Sequence, residues 1–170
     1  MSTVSCEIRP EQPGDLLAIR EVHRRAFGQD QEAYIVDALR ANGAVLVSLV
    51  ATLGGEVVGH VVYSPATIGP LEGAALGPIA VTPEHQKRGI GGRLIQAGNR
   101  MLAATSCPFI IVLGHPTYYP RFGFVPARGL GISCQWDVPD DVFMLLTLDA
   151  GAMQGVSGLA TYRGEFSSAM

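Results

Sequence analysis

Charge is scarce in this sequence: 12 basic and 15 acidic side chains among 170 residues leave a net charge of −3. That balance gives no basis for a polyanionic partner, so no nucleic acid is expected. Cysteine is scarce too. Cys6, Cys107 and Cys134 are odd in number, widely spaced and form no Cys-x-x-Cys. This argues against a disulfide framework or a thiolate zinc site, and for a reducing cytoplasm. No metal is implied. The apolar-rich stretch 44–53 contains Ser48 and Thr52 and falls far short of the ~20 residues that span a bilayer. Residues 1–10 carry Glu7 and Arg9 and no apolar signal core, so neither membrane nor secretion is expected. There is no internal repeat and no linker. With 48% hydrophobic residues, the chain reads as one globular domain over residues 1–170.

What is present is a sequence of alternating patterns. Residues 5–9 suit a short strand stopped by Pro10. Pro13 sits near the first turn of a helix on which Leu16, Leu17, Ile19, Val22 and His23 recur at helical spacing, ended by Gly28. A second helix spans about 31–40, with Tyr34, Ile35, Ala38 and Leu39 expected inward. Stretches 45–53 and 56–64 are β-rich, and Gly54-Gly55 between them suits a tight hairpin. Residues 65–73 read as a looser turn before a third strand, 75–81. Pro78 within that strand removes a ladder donor and predicts a bulge or a splayed edge. Residues 89–105 form an amphipathic helix and 109–113 a buried strand. A helical turn over 118–122 and strands near 131–135, 143–148 and 157–162 complete the chain. The order β-α-α-β-β-β-α-β-α-β-β implies an α/β fold with a mixed sheet. Residues 75–113 should make a parallel βαβ crossover.

The strongest chemical signal is Gln86-Lys87-Arg88-Gly89-Ile90-Gly91-Gly92, where a strand gives way to glycines opening a helix. Glycines let the backbone approach a ligand closely, and the free N–H groups of a helix start favour an anion. Lys87 and Arg88 add positive charge. A P-loop spelling is absent, and the dinucleotide fingerprint fails because Leu94 stands where a third Gly or Ala is needed. A second motif is Tyr118-Tyr119-Pro120-Arg121-Phe122-Gly123-Phe124, about thirty residues downstream.

The two motifs together resemble the GNAT acetyltransferases, whose Gln/Arg-x-x-Gly-x-Gly/Ala loop wraps the pyrophosphate of CoA. Ala26-Phe27-Gly28 with Glu32, Val58-Gly59-His60 and the terminal Gly158, Tyr162 and Phe166 extend the resemblance to the YhbS-like branch of that family. The resemblance implies a GNAT-like acyl-CoA N-acyltransferase fold: antiparallel strands, then a βαβ crossover with a splayed sheet. It implies acetyl-CoA as co-substrate, with the pantetheine arm on the backbone of Ile79, Ala80 and Val81. The pyrophosphate would lie on residues 86–92. It also implies Tyr119 as the proton donor to the departing CoA thiolate. The expected partners are acetyl-CoA and a primary amine, with a homodimer left open.

Two family features are missing: an Asn a few residues before the tyrosine, where His115-Pro116 stands, and a Glu on strand 75–81. The general base therefore stays open among Glu32, His60, His115 and Glu84, with Glu32, His60 and His115 the substrate-side candidates. Cys107, beside Pro108 and an apolar strand, reads as a core residue. Other acyl-CoA donors and a CoA-binding module without turnover are alternatives to an acetyltransferase acting in a ternary complex.

Overall fold

The computed structural model describes residues 5–169. Strand β1 (Cys6–Pro10) leads through a 3-10 turn at Pro13 into helices α1 (Leu16–Phe27) and α2 (Gln31–Ala41). Gly28 ends α1 in the left-handed conformation, φ 70°, which a residue without Cβ adopts freely. Strands β2 (Val47–Leu53), β3 (Glu56–Ile68) and β4 (Leu71–Val81) make an antiparallel meander, followed by helix α3 (Ile90–Ala103). The rest consists of β5 (Phe109–Leu113), β6 (Val125–Pro126), β7 (Ile132–Cys134), β8 (Phe143–Thr147), the short helix α4 (Ala150–Met153) and β9 (Gly158–Thr161).

The sheet order is β1-β2-β3-β4-β5-β8-β6, with β9 pairing both β3 and β7. The β4–β5 pair is parallel and everything between β1 and β4 is antiparallel. Alternation along β3 sends Val62 to the face covered by α1 and α2, and Val61 and Tyr63 to the face covered by α3. Tyr63 is fully buried there, and its hydroxyl donates to Asn99 Oδ1 at 2.8 Å.

The meander differs from its sequence reading at one end. Residues 65–68 are strand rather than turn, with Pro65 opposite Ala74, and the connection shrinks to Gly69-Pro70. A proline is tolerated because β2 stops opposite Tyr63 and β9 begins only at Thr67; on that side Pro65 has no ladder donor to supply. Tyr34 also departs from expectation: it is 65% exposed, on the side of α2 turned away from Ile35 and Leu39.

What positions the site is the middle of the sheet. Strands β4 and β5 pair only at Ala74–Ile110 and Ala75–Ile111. Beyond Ala75 they part, at the Gly77-Pro78 step where the β3–β4 register also slips, between Val61 and Tyr63. The bulge expected from Pro78 is thus present. From Leu76 onward β4 offers β5 no ladder, which leaves its backbone polar groups on that side available to another partner.

Candidate active site

The parted strands open on two cavities. The first, of about 670 Å³, runs along Ile79, Ala80 and Val81 of β4 and over Gln86, Lys87, Gly89, Ile90 and Gly91. Its other walls are Ala26 and Phe27 from the end of α1, with His85, Tyr118 and Arg121.

The loop between β4 and α3 is held from beneath. Thr82 is buried, its N–H donates to Val58 O at 2.9 Å, and its Oγ1 lies 2.8 Å from His85 Nδ1. Glu84 pairs with Arg25 of α1 at 2.5 Å. Lys87 and Gly89 both take positive φ, 63° and 81°. A lysine in that region carries strain of order 1–3 kcal/mol, a feature that concentrates at ligand clamps. Left-handed residues beside helical ones turn successive N–H groups into one concavity, which suits an anion at the start of α3. Space at Gly91 is tight: a Cβ there would lie 3.1 Å from Tyr118 Oη. Lys87 and Arg121 bring two positive charges to the cleft, and Arg121 also stands over the Tyr118 ring at 5.3 Å.

Two of the loop residues named from sequence fall outside this lining. Arg88 is exposed beside the cleft. Gly92 is turned toward Phe122, whose ring would meet an added Cβ at 3.3 Å. Gln86 lines the cleft but also donates to Val81 O at 2.9 Å, closing one of the strand's acceptors.

The second cavity, about 290 Å³, shares Phe27 and Ile79 with the first. It is lined by Glu32 and Ile35 of α2, Gly77-Pro78 of the bulge, Leu113 at the end of β5, and Tyr119. Trp136, Tyr162 and Phe166 close it from the C-terminal third. The motif tyrosines divide between the cavities. Tyr118 is half-buried in the first, while Tyr119 is buried against the second, its ring edge-on to Phe124. Burial, then the neighbouring Tyr118 phenol, pushes the Tyr119 hydroxyl up to about 12, so it stays protonated at neutral pH.

Of the base candidates, only Glu32 lines either cavity, and Gln29 Nε2 donates to both its oxygens at 3.1 and 3.2 Å. His115 is exposed and turned onto Thr117, 2.9 Å from its Oγ1. Glu84 is an exposed loop residue paired with Arg25. The structure does not bring His60 to a cavity: it is fully buried, with one nitrogen 2.8 Å from Ser48 Oγ and the other 2.8 Å from His23 Nε2.

That contact belongs to a polar chain that runs from the buried His23 and His60 out to part-buried Ser48, Glu11 and Arg40. Burial alone would raise the Glu11 carboxyl, but the nearby His60, 3.6 Å away, and hydrogen bonds from Arg40 and Ser48 outweigh it and hold Glu11 well below the usual carboxylate range. An ionised carboxylate only accepts, so Ser48 Oγ donates to Glu11 at 2.7 Å. Ser48 must then accept from His60 Nε2–H, and His60 Nδ1 accepts from His23 Nε2–H. Burial lowers the pKa of both imidazoles, His23 to about 3, so both are neutral. Cys107 is half-buried, its thiol donating to Phe109 O at 3.3 Å, and burial pushes that thiol up.

Comparison with known proteins bears on what such a cleft is for. Residues 44–126 match the family model of the acetyltransferase (GNAT) domain. YjhQ of Escherichia coli strain K12, an N-acetyltransferase, is 39% identical over 149 residues, 82% of either chain. The chain belongs to the GNAT acetyltransferase family. The crystal structure of the GNAT N-acetyltransferase YhbS from Escherichia coli in complex with CoA matches with a TM-score of 0.93 at 32% identity, covering 98% of this chain and 94% of that one. A GNAT acetyltransferase from Brucella melitensis in complex with acetyl-CoA matches at 0.80 and 35% identity, covering 95% and 98%. The chain is accordingly an acetyl-CoA-dependent N-acyltransferase with the open mixed sheet of the GNAT fold. Among the described residues, no group of three or more His, Cys, Asp or Glu could hold a metal ion, and no helix is long and apolar enough to cross a membrane.

Sequence reasoning missed Arg121, although it lies inside the tyrosine motif, and Phe27, although it lies in a quoted string. Trp136 carried no local signal.

Proposed function

We propose that this enzyme transfers the acetyl group of acetyl-CoA to a primary amine of a small molecule, by direct attack while both are bound. A single domain over residues 1–170 would carry the whole activity. The observation that carries the reading is the junction of the two cavities at Phe27 and Ile79. One has the glycine cradle, the unpaired β4 edge and the cations that acetyl-CoA requires. The other has a carboxylate and Tyr119. A thioester at the junction is open to attack from the second side.

In this reading the pyrophosphate lies on the backbone of residues 86–91, and the pantetheine amides use the free edge of Ile79–Val81. Lys87 and Arg121 balance phosphate charge. Glu32 receives the incoming ammonium; a free alkylamine has a pKa near ~10.4 and must shed a proton before attack. That first proton leaves by way of Glu32 to solvent; the amine lone pair then forms the C–N bond, the C–S bond breaks, and the second proton lost by nitrogen ends on the CoA sulfur.

Tyr119 assists the departure of sulfur. Its hydroxyl, raised to about 12, is a weaker acid than a thiol near ~8.5. Full proton transfer to the thiolate would run uphill by roughly 5 kcal/mol. The phenol therefore acts as a hydrogen-bond donor to the developing thiolate, an interaction of about 1.5–3 kcal/mol, or roughly 10- to 10²-fold in rate. Single-turnover acetyl transfer at saturating acetyl-CoA tests this. Tyr119→Phe should fall by that factor with acetyl-CoA affinity kept, and Tyr118→Phe should fall little. Equal rates for wild type and Tyr119→Phe would remove the tyrosine from the mechanism.

A further inference from the structure

The second cavity has an unusual balance of surfaces for a site that must receive a cation. Five aromatic rings wall it: Phe27, Tyr119, Trp136, Tyr162 and Phe166 are all in its lining, with Glu32 the one carboxylate. Three of the rings form a connected bank, Trp136 on Tyr162 at 5.0 Å and Tyr162 on Phe166 at 5.2 Å. Among the described residues, no lysine, arginine or histidine lines the cavity. Its volume, about 290 Å³, lies at the lower limit of the ~300–1,000 Å³ typical of small-molecule pockets.

Each feature restricts the acceptor. One carboxylate, oriented by Gln29, pairs with one ammonium. A second positive charge carried into the aromatic bank would lose its water and gain no anion, and buried unpaired charge is strongly disfavoured. That disfavours polyamines and aminoglycosides. An acceptor bearing its own carboxylate would meet Glu32 with no cation to offset the repulsion, which disfavours acidic amino acids. An apolar or aromatic body, in contrast, replaces water on the ring faces with contact, and the ring faces also attract an ammonium near them.

We propose that the acceptor is a small monocationic primary amine with an aromatic or similarly bulky apolar body, an arylalkylamine. Its ring lies on the bank of Trp136, Tyr162 and Phe166, and its nitrogen lies between Glu32 and the thioester. This rests on the acetyl-transfer reading above, and adds to it the class of amine. The chemistry is unchanged: the ammonium gives one proton to solvent by way of Glu32, C–N forms, C–S breaks, and the nitrogen's second proton leaves on the CoA sulfur.

Trp136 is the sole tryptophan of the chain, so selective tryptophan excitation reports occupancy of this cavity without any turnover. Phenethylamine titrated into the CoA-bound enzyme should change that emission saturably, and Glu32→Gln should raise its Kd by about 10-fold or more. Spermidine and glutamate should leave the emission unchanged. In a thiol-release assay with acetyl-CoA, kcat/KM for phenethylamine should exceed that for spermidine by about 10²-fold or more. The inference is overturned if phenethylamine neither shifts Trp136 emission nor is acetylated. It is equally overturned if spermidine is acetylated as well as phenethylamine; acetyl transfer would then stand with a different acceptor. Calorimetry showing that acetyl-CoA does not bind would instead remove the underlying reading, and the same fluorescence titration on the enzyme alone would still decide whether the cavity takes an arylalkylamine.

Discussion

The sealed pair of histidines makes stability depend on pH in a way that can be worked out beforehand. His23 and His60 are both fully buried and neutral. His23 is held down to about 3 by burial, then by repulsion from His60 and Arg40; for His60, burial outweighs the attraction of Glu11. In the unfolded chain each titrates near ~6.5. Above that value neither state binds the proton, and stability is flat. Below it the unfolded chain takes up protons that the fold refuses, so each histidine costs about 1.4 kcal/mol per pH unit until its folded pKa is reached. For His23, whose folded pKa is about 3, the loss at about pH 5 is roughly 2 kcal/mol, a sizeable share of the ~5–15 kcal/mol of a typical domain, and His60, lowered too, adds to it in the same direction. Glu11 and Asp15, whose carboxyls are both lowered, add their own loss only as pH falls through the unfolded range near ~4. The interval between pH ~5 and ~6.5 therefore belongs to the histidines. Urea unfolding at about pH 7.5 and pH 5 measures the difference. His23→Phe keeps a ring against Phe27, which His23 stacks on at 6.1 Å, and removes one titration; it should cut the loss by roughly 2 kcal/mol. Wild-type stability unchanged between the two pH values, or a full loss retained in His23→Phe, would refute the reasoning.

Other perturbations follow from single contacts. Arg121→Ala should raise the Kd for acetyl-CoA by about 3- to 10-fold at low salt and by less at high salt, since it removes one exposed cation from the cleft; a salt-independent or absent effect in calorimetry contradicts its role. Glu11→Gln should lower stability by about 1–3 kcal/mol in urea unfolding, because Arg40 loses a two-point partner at 2.6 and 3.1 Å. Stability within about 0.3 kcal/mol of wild type would mean that Arg40 finds solvent instead.

What the sequence shows of this site depends on whether the contributing residues are neighbours along the chain. The loop 86–91 is legible because a phosphate cradle is contiguous backbone: the glycines, the helix start and the basic residues must be spelled together. The splay is legible for a similar reason, since Pro78 alone removes a ladder donor. Trp136, Tyr162 and Phe166 reach the second cavity only because β9 pairs with both β7 and β3, and no local period announces that pairing. His60 misled because the string Val58-Gly59-His60 does not show what the histidine meets. The partners, His23 on α1 and Ser48 on β2, come from other elements. Tyr34, expected inward, stays exposed because the inward face of α2 is completed by Ala33, Ile35, Val36 and Leu39.

The most direct test of the account is a calorimetric titration of acetyl-CoA into wild type and Gly91→Val. The added branches would occupy the space between the start of α3 and Tyr118 Oη, where even a Cβ comes to 3.1 Å, and so displace the pyrophosphate from the backbone N–H groups. Wild type should bind one acetyl-CoA per chain saturably. A Gly91→Val protein that retains its helical circular dichroism and its melting temperature should bind at least 10-fold more weakly, the loss expected for displaced charge-assisted hydrogen bonds of about 1.5–3 kcal/mol. Unchanged affinity in a folded Gly91→Val protein would contradict the placement of CoA on residues 86–91, and with it the two-cavity site.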